Sequence, residues 1–387
     1  MQNIRKFYLV FEIISILLTI FFYKLNKISL FSIFLTSTFY YLVAFILPKI
    51  PVFFTGLIAF IMLFIFMLTI TYTHIDFEIP GKYIFSINYF YIYILVIFIL
   101  SILTLIDFEK FNILNIISGI CLMCLFFIFL YFSFNNRINV VNYSIETNKI
   151  MNKDIKIALL SDTHSTIYPN NDLVNDIKRE KPDLILLTGD IIDDVASIKG
   201  TDILMEKIKD IAPIYYCTGN HEYMAKDYEE RIKSLESYGV NYLNDEYKII
   251  DINGNKILIS GVNDPYIDTK VKNYPSISDR LKELEIECAK EDFNGVKILL
   301  SHRPELYDLY SNYDYDLVLS GHAHGGQVRI PFLMNGLIAP KQGLFPKFAG
   351  GLYTLNDKTK MIVSRGLSIE ALPRIFDPPE LVIITLK

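Results

Sequence analysis

The chain has 387 residues, 52% of them hydrophobic and 14% aromatic, and a formal net charge of −5 at pH 7. The charge is unevenly spread: residues 1–135 hold 7 Lys and Arg and 5 Asp and Glu, and the rest of the chain holds 30 and 37. An acidic second half excludes a basic nucleic-acid footprint, so no nucleic acid is expected as a partner, and an apolar first half excludes an ordinary soluble domain.

Five apolar runs come first, near residues 7–23, 29–47, 52–73, 83–106 and 113–134. The third carries no charge across 22 positions. A helical run of about 20 residues crosses the ~30 Å hydrocarbon core of a bilayer. Five helices apolar all round would need a very large soluble domain to hide them. Residues 1–135 are therefore expected to form an all-helical transmembrane domain of about five spans, with the lipid bilayer as its partner. Four spans is the alternative, because only DFEKFN separates the last two runs.

Orientation rests on little. One face would carry Arg5, Lys6, Lys49 and Lys110, and the other Lys24, Lys27, Lys82 and Arg137. The Arg5–Lys6 pair tips the N-terminus inside. Five spans then put the second half outside the cytoplasm, in a multi-pass protein of the cell membrane; four put it in the cytoplasm. Glu12 lies near a span end, where it can snorkel to the interface. Cys121 and Cys124 sit at helical spacing in the last run and read as packing, and Cys217 and Cys288 leave the redox compartment open.

Residues 136–154 read as a linker containing a strand, INVVNYSIE, and 155–387 as one α/β domain. IKIALL, PDLILLTGD, VKILLSH and DLVLSGH are strand-like. NDLVNDIKRE and DYEERIKSLESYG have helical spacing, and YKIIDINGNKILISG reads as a hairpin about Asn253–Gly254. Another hairpin-like pair, GLYTLNDKTKMIVSRG, and a last strand, ELVIITLK, close the chain. The segment IPFLMNGLIAPKQGLFP is apolar and is either core or a loop dipping toward lipid.

One local pattern recurs five times. An apolar strand ends in a small residue and then a metal-binding group: Asp162 and His164; Asp190 and Asp193; Asn220, His221 and Glu222; His302; His322 and His324. Of the six histidines only His74 lies elsewhere. Side chains just past the carboxyl ends of strands converge in one crevice, and residues i and i+2 of an extended chain point to one side. Asp162 and His164 can thus share one ion or reach adjacent ones. Any single motif alone reads as a turn or a helix cap. The full set offers more donors than one ion needs, and a carboxylate can bridge two ions. Imidazole and carboxylate without thiolate suit Mn, Fe or Zn alike.

The ordered set D-x-H, G-D-x-x-D, G-N-H-E, H and G-H-x-H resembles the calcineurin-like metallophosphoesterases over residues 155–387. GHAHGGQVRIP, FAGGLY and the tail SRGLSIEALPRIFDPPELVIITL look like the bacterial membrane-associated branch. The resemblance implies a four-layer αββα sandwich and two divalent metal ions. Asp162, His164 and His324 would hold one ion, Asn220, His302 and His322 the other, and Asp190 would bridge them. His221 matches the family's catalytic histidine that binds no metal, Glu222 the acid that orients it, and Asp193 a supporting residue. Arg303 follows His302 and is expected to face solvent.

These groups suit hydrolysis of a phosphate ester or pyrophosphate bond, and the membrane half favours a lipid-linked phosphorylated substrate. The alternative is a catalytically silent membrane sensor or transport-associated protein that uses the domain only to bind a ligand.

Overall fold

The computed structural model describes residues 128, 131, 137–330, 333–369 and 374–387. The chain divides after Leu130. Apart from residues 128 and 131, the five apolar runs and the expected spans lie outside the described residues, as does His74; among the described residues no helix is long and apolar enough to cross a membrane.

In chain order the second unit comprises β1 Asn139–Ile145, β2 Ile155–Leu160, α1 Asp172–Glu180, β3 Leu184–Thr188, α2 Lys199–Ile208, β4 Ile214–Cys217, α3 Asn220–Met224 and α4 Tyr228–Ser237. There follow β5 Asn241–Tyr242, β6 Glu246–Ile252, β7 Asn255–Gly261, α5 Ile277–Cys288, β8 Val296–Leu300, α6 Tyr307–Tyr310 and β9 Leu317–Ser320. The last strands are β10 Ile338–Ala339, β11 Gly343–Leu344, β12 Gly351–Thr354, β13 Lys360–Val363 and β14 Glu380–Leu386.

Two six-stranded mixed sheets result, ordered β1-β14-β2-β3-β4-β5 and β12-β13-β9-β8-β7-β6, with β10-β11 as a separate ribbon. Strand alternation explains why the strands are apolar throughout. In β2, Ile155, Ile157 and Leu159 face a core shared with the second sheet's Ile259, Ile298 and Leu319. Ala158 and Leu160 face the other way, onto Leu173 and Ile177 of α1 and Met205 of α2. Outside the second sheet, Leu299 and Val318 pack on Leu281 and Leu284 of α5. The layers therefore run helix, sheet, sheet, helix.

The expected hairpin is β6–β7, an antiparallel pair with Ile252 opposite Asn255. Asn253 and Gly254 both take positive φ, 54° and 78°, as a two-residue type I′ turn requires. The expected linker strand is β1, which joins the first sheet by pairing parallel with β14, Asn139 opposite Glu380. β2, β3 and β4 run parallel in one sheet, and β8 and β9 run parallel in the other. Their carboxyl ends therefore open into one crevice.

Candidate metal centre

The five strand ends supply the candidate ligands and tie to one another. Asp162 N donates to Gly189 O (3.1 Å), His164 N to Asp190 O (3.0 Å), and Gly321 N to His302 O (3.1 Å). His302 Nδ1 lies 2.8 Å from Thr188 O, linking β8 of one sheet to β3 of the other. Gly189 has φ +80°, and a Cβ there would stand 2.6 Å from Gly219 N and His302 Nδ1. Only glycine lets these two loops close on each other.

Two groups of donors form and share one carboxylate. Asp162, His164, Asp190 and His324 bring ligand atoms within 4.8 Å of one another, and so do Asp190, His302 and His322. Asp190 Oδ2 lies 3.0 Å from His302 Nε2 and 3.8 Å from His164 Nε2. Asn220, at the start of α3, is buried. Five of these residues, Asp162, His164, Asp190, His322 and His324, hold positive φ between 45° and 66°. Non-glycine residues persist there only where the surroundings over-determine them.

Two buried atoms test whether a metal fits: Asn220 Oδ1 and His164 Nε2 have no hydrogen-bond partner. Leaving such groups unpaired costs on the order of 1–3 kcal/mol each. Both are donors of the type a divalent cation takes. The imidazole and carboxylate set, with Cys217 and Cys288 free and buried, fits Mn, Fe or Zn without choosing among them.

Electrostatics follow the packing. Burial would raise the Asp190 carboxyl, but His302 and His221 outweigh it and hold it well below its usual range. Burial lifts the Asp162 carboxyl, whose Oδ1 and Oδ2 accept from His322 N at 3.0 and 3.2 Å. Burial opposes a proton on His221, yet Asp190 and Asp194 keep it on up to about 9.

The supporting residues depart from expectation in two contacts. His221 Nδ1 does not meet Glu222; it lies 2.6 Å from Asp194 Oδ1. Glu222 is fully buried and instead accepts from four backbone amides: Gly219 N (2.7 Å), Asp190 N (3.0 Å), Ile191 N (2.7 Å) and Ile192 N (3.0 Å). Its carboxylate holds the turn that presents Asp190, because those amides have no carbonyl to meet. Asp194 went unread in the sequence, and its one signal was the doubled acid of GDIIDD. Asp193 Oδ2 lies 3.3 Å from Nδ1 of the candidate ligand His164, while Oδ1 accepts from Val195 N and Ala196 N. His164, Asp193 and His221 also fall within 4.8 Å, but His221 Nδ1 is taken by Asp194.

Arg303 does not face solvent. Its guanidinium is buried and forked onto Asp264, Nε to Oδ2 at 2.5 Å and Nη2 to Oδ1 at 2.9 Å. The pairing offsets the cost of burying the charge. Nη1 then lies 3.0 Å from His322 Nε2.

This is the donor arrangement of a metal-dependent phosphoesterase. A family model described as calcineurin-like phosphoesterase matches residues 155–326. An uncharacterized metallophosphoesterase of Aquifex aeolicus is 32% identical over 260 residues, covering 65% of this chain and 92% of the relative. One from Campylobacter jejuni is 32% identical over 253 residues, covering 61% of this chain but 60% of the relative's length. The chain belongs to the calcineurin-like phosphoesterases. Among curated relatives, a Danio rerio protein called "Transmembrane protein with metallophosphoesterase domain" is 28% identical, over 60% of this chain and 53% of that one. Among solved structures, the phosphopantetheinyl hydrolase of Mycobacterium tuberculosis aligns at TM-score 0.37 and 13% identity, covering 57% of this chain and 91% of that one.

Proposed function

We propose that the chain is a membrane-anchored phosphohydrolase with a dinuclear centre, acting on a phosphate ester or pyrophosphate carried by a lipid. The observation that carries the centre is the pair of donor groups meeting at Asp190. In this reading Asp162, His164 and His324 would hold one divalent ion and Asn220, His302 and His322 the other, with Asp190 as the residue that both would share. Bound there, the two ions supply Lewis-acid activation of water and of a phosphoryl oxygen.

The chain's own groups do the rest. Glu222 fixes the backbone that presents Asp190. Asp193 holds His164 by Nδ1 and so turns its Nε2 toward Asp190. Asp194 takes His221 Nδ1, leaving Nε2 to donate a hydrogen bond to the phosphoryl group and a proton to the leaving oxygen. No strand-end Ser or Cys nucleophile is needed. A full donor set speaks against a silent sensor, which would have no use for all seven.

Five apolar runs support the multi-pass anchor, and the zebrafish relative's printed name agrees with it. Arg5–Lys6 and an odd number of spans support a catalytic unit outside the cytoplasm. The test is an assay of the full chain in detergent–lipid micelles with Mn, comparing a lipid phosphate with p-nitrophenyl phosphate. Faster turnover of the lipid substrate is expected. Equal or faster turnover of the soluble ester removes the lipid assignment, and no turnover of either removes the hydrolase reading.

A further inference from the structure

We infer that residues 328–330 and 333–347, which follow the candidate metal-binding strand end of β9, dock on an anionic bilayer surface and hold the mouth of the candidate metal centre at the headgroup level. This deepens the membrane reading above and rests on it.

The loop gathers several large apolar side chains at the surface. Leu333 is 84% exposed and Phe345 67%, and Ile330 and Leu344 are exposed too. All four belong to one rooted structure. Leu337 N donates to Gly326 O (3.0 Å) and Phe345 N to Leu337 O (2.7 Å). Ile330 forms a β-bridge with Met334, and β10 pairs with β11, Ile338 opposite Leu344. The root is two residues from His324.

Charge makes the same choice of partner. Between Asp316 and Asp357 the chain has no acidic residue and three basic ones, Arg329, Lys341 and Lys347. The rest of the second half is acidic, so this is a local reversal of sign. Exposed Leu and Phe among Lys and Arg suit the boundary between acyl chains and anionic headgroups. An acidic protein partner would match the charge but not the exposed Leu333 and Phe345.

Position agrees. The loop is stitched to the C-terminal tail through a Val328–Ile375 bridge and an Arg329 N to Ile375 O bond of 2.9 Å. Four residues on, Pro379 O accepts from Asn139 N at 2.8 Å. Four residues span at most about 14 Å at ~3.5 Å each. The start of β1 thus lies near the root of the loop. A lipid phosphate would meet the donor groups without leaving the surface.

The chain contains no Trp, so one Trp reports alone. Phe345→Trp and Leu333→Trp full-length proteins are reconstituted into phosphatidylcholine–phosphatidylglycerol vesicles, with or without brominated phosphatidylcholine. Ile286→Trp, an exposed apolar position on α5, is the control. Brominated lipid is expected to quench both loop reporters several-fold more than the control, with acrylamide quenching in the opposite order. Loop reporters that match the control in both quenchers, in a chain that stays with the vesicles through a carbonate wash, overturn the loop proposal alone. A chain that washes off overturns the anchor and the loop with it.

Discussion

His221 Nδ1 is engaged by Asp194 Oδ1 at 2.6 Å, and in the proposed reading the ring binds no metal. The imidazole is still 29% exposed, so substrate can reach its other nitrogen. His221→Ala is expected to retain bound metal and lose about 10²–10⁴ in turnover, the usual worth of a positioned acid. Asp194→Asn leaves the ring in place but poorly held, and should lose up to about 10²-fold. Metal loss in His221→Ala would show that the histidine is a ligand.

His322 poses a sharper question. Its Nδ1 lies 3.2 Å from His302 Nε2, and Arg303 Nη1 donates toward its Nε2. If Nδ1 binds metal, the proton moves to Nε2, where a guanidinium cannot accept it. The nearby acceptor is Glu305, with Oε1 4.0 Å from His322 Nε2 and Oε2 buried without a partner. Outer carboxylates of this kind are worth about 10–100-fold in metal affinity. Glu305→Gln is therefore expected to weaken Mn binding by about that factor in calorimetric titration, with the fold intact by circular dichroism. Unchanged affinity would mean that His322 binds through Nε2 or not at all.

At the scale of elements, the strand ends carry the site because apolar strands and polar ends are both written plainly. Residues such as Leu159 and Leu160 must be apolar on both faces, since one meets the other sheet and the other meets α1. The five motifs follow directly. Two helices were less legible: α2 and α5 each show only a partial apolar stripe. In α5 the signal was present, since Ser276 caps Asp279 N ahead of Leu281, Leu284 and Cys288. Arg303 was unreadable because its partner Asp264 lies 39 residues away, on a loop no local pattern connects to it.

The tail after β13 packs a carboxyl into the floor of the His324 loop. Asp377 is fully buried and neither oxygen has a hydrogen bond; Arg374 Nη1 and Arg365 Nε stand off at 3.6 and 3.9 Å. Burial pushes its carboxyl up to about 7 against the pull of Arg374, Arg365 and Arg329. The unfolded value is about 3.9. Between these values the native state holds the extra proton, so this group's stabilising contribution is full below about pH 4 and is lost as pH rises through about 7. The stability of the native chain relative to Asp377→Asn, in chelator, should fall from pH 5 to pH 7.5. A relative stability that is flat or rises across that window would contradict a neutral Asp377.

For the whole molecule, the two sheets each contribute part of the candidate metal centre. β2, β3 and β4 bring Asp162, His164, Asp190 and Asn220, while β8 and β9 bring His302, His322 and His324. The site therefore exists only when the sandwich is closed, and Asp190, between the groups, is the residue on which the account turns. The direct measurement is metal content of the purified full-length chain, washed without chelator and titrated with Mn. The account predicts about two ions per chain, about one in Asn220→Ala with His302→Ala, and loss of both sites in Asp190→Ala. A single ion in the native chain that survives Asp190→Ala unchanged, or no ion even with added Mn, would contradict it.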